Sequence, residues 1–108
     1  MTTFNERERG FEKKFEHDQD LRFKATARKN KMLGLWAAGL MGKSGADADA
    51  YAKEVVVADL ETPGDSDVIE KLMKDLAAAG KPMEEHSIRK QSERLMTEAR
   101  EQIMKETR

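Results

Sequence analysis

This chain of 108 residues contains no cysteine, two prolines, one tryptophan and one tyrosine. Without thiols it forms neither disulfide bonds nor cysteine-ligated metal sites, which is typical of a protein in a reducing cytoplasm. No apolar run approaches the ~20 residues that span a bilayer, and residues 1–19 lack the apolar centre of a signal peptide. The net charge of −1 provides no overall attraction to nucleic acid. We therefore expect a cytoplasmic protein that neither inserts into a membrane nor binds nucleic acid.

The few aromatic residues are concentrated at one end of the chain. All four phenylalanines, Phe4, Phe11, Phe15 and Phe23, lie within the first 23 residues. On an ideal helix the first three fall within roughly 40° of one another, with most charged side chains outside this stripe. An isolated helix of this length is marginal in water, so the stripe needs a partner surface.

Polar residues separate this stripe from the rest of the chain. Residues 17–20 read His-Asp-Gln-Asp, and a continuous helix would place Asp18 and Arg22 on the apolar face. We therefore predict a mobile, amphipathic N-terminal arm at residues 1–19 and a separate domain at residues 20–108. Phe23 belongs with the first helix of that domain.

The domain is predicted to be all-α, a compact four-helix bundle. Apolar residues recur at helical spacing, and Ser44, Thr62-Pro63-Gly64 and Gly80 mark the boundaries between segments. The run of three valines at 55–57 is typical of a strand, but it has no partner strand and we assign it to a helix. The predicted helices span residues 20–42, 45–61, 66–79 and 84–105, and their apolar stripes require helix-on-helix packing.

In the first helix we expect one buried face, with Trp36 as the main aromatic residue of the core. Its members are Ala25, Met32, Trp36 and Leu40.

Charge is also uneven in the bundle. Residues 20–43 carry six basic and one acidic side chain, whereas residues 44–80 carry three basic and nine acidic ones. We expect these two segments to attract each other, with the basic residues from Arg22 to Lys31 facing the acidic middle of the chain or a protein partner.

Residues that could perform chemistry are scarce. His17 and His86 lie outside any metal-ligand pattern, and the aspartates do not have the spacing of a calcium loop, so we predict no metal site and no catalytic residue. Gly42-Lys43-Ser44 resembles the end of a phosphate-binding loop, but Ala37 stands where that motif needs glycine. Two interpretations stay open for Gly42, Lys43, Ser44 and Gly45: a turn with a helix cap, or an anion or nucleotide contact.

Several strings in order along the chain resemble the zeta subunit family of alphaproteobacterial F-type ATP synthase. They are Phe11-Glu12-x-Lys14-Phe15, Phe23-Lys24-Ala25-x-Ala27-Arg28-x-Asn30-Lys31, Leu33-Gly34-Leu35-Trp36-Ala37-Ala38, Ala50-Tyr51-Ala52-Lys53-Glu54-Val55-Val56, Gly64-Asp65-x-Asp67-Val68 and Ile88-Arg89. One departure is Lys29, where an arginine is expected; the charge is kept, but a planar bidentate donor is lost.

The resemblance implies a four-helix, non-enzymatic inhibitor of ATP hydrolysis by the catalytic head of the synthase. The arm would enter an interface between alpha and beta subunits and approach the gamma subunit. The implied partner-binding residues are Phe4, Arg7, Gly10, Phe11, Lys14 and Phe15. The family also implies that no cofactor is required, that ADP or ATP binds weakly, that the free protein is a monomer, and that it is held at the inner membrane through the synthase.

Two alternatives to inhibition remain at this point. The chain could be a small helical regulatory protein that binds an adenine nucleotide or anion at Gly42–Gly45. It could also be a purely structural unit in which the arm folds back as a fifth element and its phenylalanines join the core.

Overall fold

The computed structural model describes residues 19–61 and 64–106, which form four α-helices and no strand. The helices are α1 Gln19–Leu40, α2 Gly45–Glu61, α3 Asp65–Ala78 and α4 Glu85–Glu106. The predicted all-α, four-helix fold is confirmed, and the observed bounds differ from the predicted ones by at most two residues. The three valines at 55–57 lie in α2, as expected.

The end of α3 shows how glycine stops a helix in this chain. Gly80 has a positive φ of 77°, a conformation that glycine adopts without steric cost. The Lys81 backbone N–H donates to the Leu76 carbonyl at 2.8 Å, and the Gly80 N–H donates to the Ala77 carbonyl at 3.1 Å. This pair of bonds satisfies carbonyls that the helix leaves without intrahelical partners, so Gly80 ends α3 as predicted.

The first helix contacts all three others, most closely α2 and α4. Gly34 marks the closest approach to α2: a Cβ built at Gly34 would lie 2.7 Å from the Cα of Ala52. Real Cβ atoms essentially never lie that close to another backbone. The packing of α1 on α2 therefore depends on the absence of a side chain at position 34.

The main core is built from aliphatic side chains of all four helices. Its fully buried large members are Leu33, Val55, Val68, Ile69, Leu72, Leu76 and Ile88. Tyr51 is the most deeply buried aromatic residue of the described ranges, with 5% of its surface exposed, whereas Trp36 is partly buried against the edge of the core. The expectation that Trp36 would be the main core aromatic was wrong.

The buried face of α1 also differs from the predicted one. Ala25 is buried as expected, but Met32 is only partly buried and Leu40 is exposed. The deeply buried positions of the second half are Leu33, Gly34, Ala37 and Ala38. Three of these four have small side chains or none, and at Gly34 a side chain would collide with the α2 backbone.

Candidate functional site

The residues that the resemblance assigns to inhibition lie outside the described residues. They are Phe4, Arg7, Gly10, Phe11, Lys14 and Phe15. Their roles stay predictions, as do the boundary of the arm at residue 19 and its mobility. The structure describes the part of the bundle to which the arm connects, beginning at Gln19.

The start of α1 packs on the end of α4 through a small apolar cluster, which we call the arm-proximal cluster. Its buried members are Leu21, Ala25 and Ile103, with Met96 and Met104 packed against them. It is separate from the main core. Because Leu21 follows the predicted arm by two residues, its burial anchors the chain close to the point where the arm begins.

A charged contact joins the same two helices. The Arg28 guanidinium donates to Glu106 Oε1 at 2.6 Å and to Gln102 Oε1 at 3.5 Å. The hydrogen bond from Arg28 lowers the pKa of the Glu106 carboxyl. Arg28 was expected to face either the acidic middle of the chain or a protein partner. It pairs with Glu106, which lies outside the acidic middle, so the first of these expectations was wrong. The end of α4 lies against the first half of α1, which brings Glu106 within reach of Arg28.

Lys29 confirms the predicted attraction between the basic and acidic segments. Its side chain is 3% exposed, and its Nζ lies 3.0 Å from Oδ1 of Asp65, the first residue of α3. The Asp65 side chain is 61% exposed, so water still solvates the carboxylate while the ammonium is buried. The pair fixes the start of α3 against α1, because an unpaired buried ammonium would be strongly unfavourable.

Asn30, the next residue, is fully buried, and neither Nδ2 nor Oδ1 of its side chain has a hydrogen-bond partner among the described residues. A buried amide without partners costs about 1–3 kcal/mol. The sequence motifs assigned Asn30 no role of its own. The signal that could have found it was its spacing: Asn30 precedes Gly34 by one helical turn and therefore lies on the face that approaches α2.

The Gly42–Gly45 segment forms a turn between α1 and α2. Lys43 donates its backbone N–H to the Ala38 carbonyl at 2.8 Å, and Gly42 donates to Gly39 at 3.1 Å. Gly42 and Gly45 have positive φ values of 81° and 55°. The structure therefore shows the predicted turn, with Ser44 immediately before α2 and its backbone carbonyl accepting from the Asp47 N–H at 3.2 Å. The N–H groups of Gly42 and Lys43 are thus bonded to α1, whereas the predicted anion contact used the N–H groups at the start of α2, so that contact stays a prediction.

A polar network between α2 and α3 was not predicted. The Tyr51 hydroxyl donates to Asp75 Oδ2 at 2.8 Å, Lys71 Nζ donates to the same oxygen at 3.0 Å, and the Lys71 ammonium lies 5.2 Å from the centre of the Tyr51 ring. Burial and the hydrogen bond to Asp75 raise the pKa of Tyr51. Burial alone would raise the pKa of Asp75, but the hydrogen bonds from Tyr51 and Lys71 outweigh it and lower that pKa. The role of the network is structural, since it joins two helices of the bundle.

Similarity to known proteins extends over nearly the whole chain. The model of the family described as ATPase inhibitor subunit zeta matches residues 1–102. The chain belongs to this family. A protein with a known solution NMR structure is 46% identical to it, with a TM-score of 0.70; the match covers 80% of this chain and 98% of the other. No curated protein matches the chain.

Membership in the zeta family confirms the resemblance that the sequence strings indicated. The matched range, residues 1–102, includes the predicted arm with its three phenylalanines, all of α1 to α3 and most of α4. The six predicted partner-binding residues therefore lie in the part of the chain that the family shares.

The remaining polar residues of this zeta-family chain form no metal centre in the ranges 19–61 and 64–106, where no group of three or more histidine or carboxylate side chains is arranged to hold an ion. His86 lies exposed in the first turn of α4, and His17 is outside the described residues. Across those same ranges, no helix has both the length and the apolar character needed to cross a membrane.

Proposed function

We propose that this chain is a non-catalytic inhibitor of ATP hydrolysis by the catalytic head of F-type ATP synthase. The observation that carries the proposal is the match to the ATPase inhibitor subunit zeta family, which includes the N-terminal arm. The arm enters an interface between alpha and beta subunits and approaches gamma. The free protein is a monomer in the cytoplasm, and it is held at the inner membrane only through the synthase.

The arm supplies the binding free energy. Burial of Phe4, Phe11 and Phe15 contributes about 1.5–3 kcal/mol each, which offsets the entropy lost when the arm becomes ordered in the interface. Arg7 and Lys14 flank the apolar stripe as ionic contacts, while Gly10 leaves the backbone without a side chain beside Phe11. A catalytic interface occupied by a helix cannot complete the opening and closing that hydrolysis requires, so inhibition needs no chemistry.

The bundle holds the arm at its base. Burial of Leu21, Ala25 and Ile103 in the arm-proximal cluster ties the start of α1 to the end of α4. An arm attached to a rigid base loses less entropy on binding than a free peptide of the same sequence. The arm-proximal cluster therefore supports inhibition indirectly, by limiting where the arm can reach.

The proposal is tested by reconstitution with the purified catalytic head. The full chain should inhibit ATP hydrolysis, and the triple variant Phe4→Ser, Phe11→Ser, Phe15→Ser should not. Leu60→Ser is the control, because Leu60 is an apolar residue of α2 that is 54% exposed and does not belong to the predicted arm at residues 1–19. Both variants should keep the helical circular dichroism of the parent. Inhibition by the triple variant at the parent's potency would contradict the proposal.

Binding of an adenine nucleotide or anion at Gly42–Gly45 is the second candidate, and it stays a prediction. Lys43 is exposed beside the start of α2, which favours an anion, but the N–H groups of Gly42 and Lys43 are bonded to α1. Titration of the full chain with ATP, followed by backbone amide shifts, distinguishes the two outcomes. Saturable shifts confined to this turn would support the site, and their absence would remove it.

A further inference from the structure

An open groove of about 620 Å³ lies between α1, α2 and α4. Its apolar lining is formed by Phe23, Ala27, Val56, Val57 and Ile103. Phe23 is 60% exposed and Val57 is 47% exposed, although both are large hydrophobic residues. Single exposed apolar residues are ordinary, but two that share one concavity with further apolar side chains are typical of a binding surface.

The rim of this groove is strongly positive. Lys24, Arg28, Lys31 and Lys53 line it, and Glu106 is the one acidic residue among the lining side chains. Arg28 already neutralises Glu106 through their 2.6 Å ion pair. Within the described residues, Lys31 and Lys53 form no ion pair. The groove, which we call the cationic groove, therefore has an apolar floor and an excess of three positive charges at its edge.

We propose that the cationic groove binds an acidic amphipathic helix of a protein partner. The apolar side of such a helix would cover Phe23 and Val57, while its carboxylates would pair with the lysines of the rim. From residue 23 to residue 31 the groove follows α1 for about 12 Å, which accommodates about two turns of a bound helix. If the partner helix belongs to the synthase head, that assignment rests on the proposed function. The binding of an acidic amphipathic helix by the groove does not depend on it.

Charge decides between this occupant and two others. The arm is a poor complement, because residues 1–19 carry four basic and five acidic side chains intermixed along the segment. A second copy of the chain related by a two-fold axis would place one cationic groove against another, so that the lysines of both rims repel each other. A helix with carboxylates along both sides of an apolar stripe can pack its stripe on the apolar floor and pair its carboxylates with the basic residues of the rim.

The test uses the full chain and a synthetic helical peptide of about 14 residues, with leucines at helical spacing and glutamates elsewhere. A second peptide with lysines in place of the glutamates is its charge control. We expect saturable amide shifts at residues 23–31 and 53–57 with the glutamate peptide, weaker binding as salt is raised, and no binding of the lysine peptide.

Variants locate the binding surface. Phe23→Ser should weaken the glutamate peptide's affinity about tenfold or more, because the floor loses its largest apolar side chain. Lys53→Glu should weaken it and flatten its salt dependence. Leu60→Ser is the matched control: Leu60 is 54% exposed and is not among the residues that line the groove, so its replacement should leave affinity unchanged.

Several outcomes would overturn the inference. They are no binding of the glutamate peptide, equal affinity in Phe23→Ser and Leu60→Ser, a dimer in sedimentation that Phe23→Ser dissociates, or broadening of groove signals by a spin label placed on the arm of the free protein. The inhibition assay is independent of this test. A chain that binds the peptide without inhibiting hydrolysis contradicts only the proposed function, and a chain that inhibits without binding the peptide contradicts only the cationic groove.

Discussion

In the second half of α1, residues 30–40, the buried positions are mostly small, whereas in the first half, residues 19–29, Arg22, Phe23 and Lys24 are exposed to solvent. Gly34 brings two backbones into contact in the second half. In the first half, Phe23 is 60% exposed and the buried residues belong partly to the small arm-proximal cluster. One helix therefore combines a half that packs closely on α2 with a half that contributes exposed residues to the proposed cationic groove and follows the predicted arm.

The largest expected difference between the two halves is in stability. Leu33 is fully buried in the main core, and Leu33→Ala should lower the free energy of unfolding by about 3 kcal/mol, through lost burial and a cavity. Leu21 is 7% exposed in the arm-proximal cluster, and Leu21→Ala should cost about half as much. Chemical denaturation of the full chain measures both. Equal losses would show that the arm-proximal cluster is as important to the fold as the main core.

A second difference concerns the two glycines of α1. Gly34→Ala should destabilise the protein by about 2 kcal/mol, because the new methyl group meets the Ala52 backbone and forces α1 and α2 apart. Gly39→Ala is the matched control: nothing lies within 4 Å of a Cβ there, and higher helix propensity should stabilise the protein by up to about 1 kcal/mol. Thermal melting that shifts upward in both variants would rule out the close approach at Gly34.

The polar network between α2 and α3, next to the Gly34 contact, should give a smaller, pH-dependent effect. Tyr51→Phe removes the hydrogen bond to Asp75 and should cost about 1.5 kcal/mol at pH 7. The folded-state pKa of Asp75 is lowered, so this contribution is present above the unfolded pKa of about 4 and is lost as pH falls through the folded value. The pKa of Tyr51 is raised, so the contribution is also lost as pH rises above about 10.

Urea denaturation of the parent and of Tyr51→Phe between pH 2 and 11 checks the direction of this pH dependence. The stability difference should be constant in the neutral range and should shrink at both extremes. A difference that grows at acid pH would mean that the Tyr51 hydroxyl does not bond to an ionised Asp75.

The smallest effect is expected at the boundary between the two halves. Asn30→Leu should raise the free energy of unfolding by about 1 kcal/mol, because it replaces a buried amide without partners by an apolar side chain of similar size. Gln102→Leu, at an exposed position of α4, should change stability little. Destabilisation by Asn30→Leu would reveal a polar partner for the amide beyond the described residues.

Local pattern was enough to predict most of the fold. In α3, Val68, Ile69, Leu72 and Leu76 repeat at helical spacing, and all four are buried. Gly80 ends that helix through its positive φ, as its position predicted. Such features depend on neighbours within one or two turns, so the sequence displays them directly.

Of the two candidate binding surfaces, only the arm was predicted from the sequence. The arm was predicted from the spacing of Phe4, Phe11 and Phe15 and from the family resemblance. The cationic groove was not predicted, because its residues come from α1, α2 and α4, and the first and last of them, Phe23 and Glu106, are 83 positions apart in the chain. Phe23 was assigned to a bundle helix, which is correct, but no pattern in α1 alone shows that its side chain stays exposed.

The amino-acid sequence of this chain was sufficient for the all-α class, the number of helices, their ends and the family, because each depends on short-range periodicity or on strings of residues in order. The buried face of α1 was decided by the tertiary structure. Gly34 is buried there because the Ala52 backbone approaches it, and Phe23 is exposed because none of the four described helices covers it. Both results follow from how closely two helices can pack, which is a property of the pair and cannot be read from either segment alone.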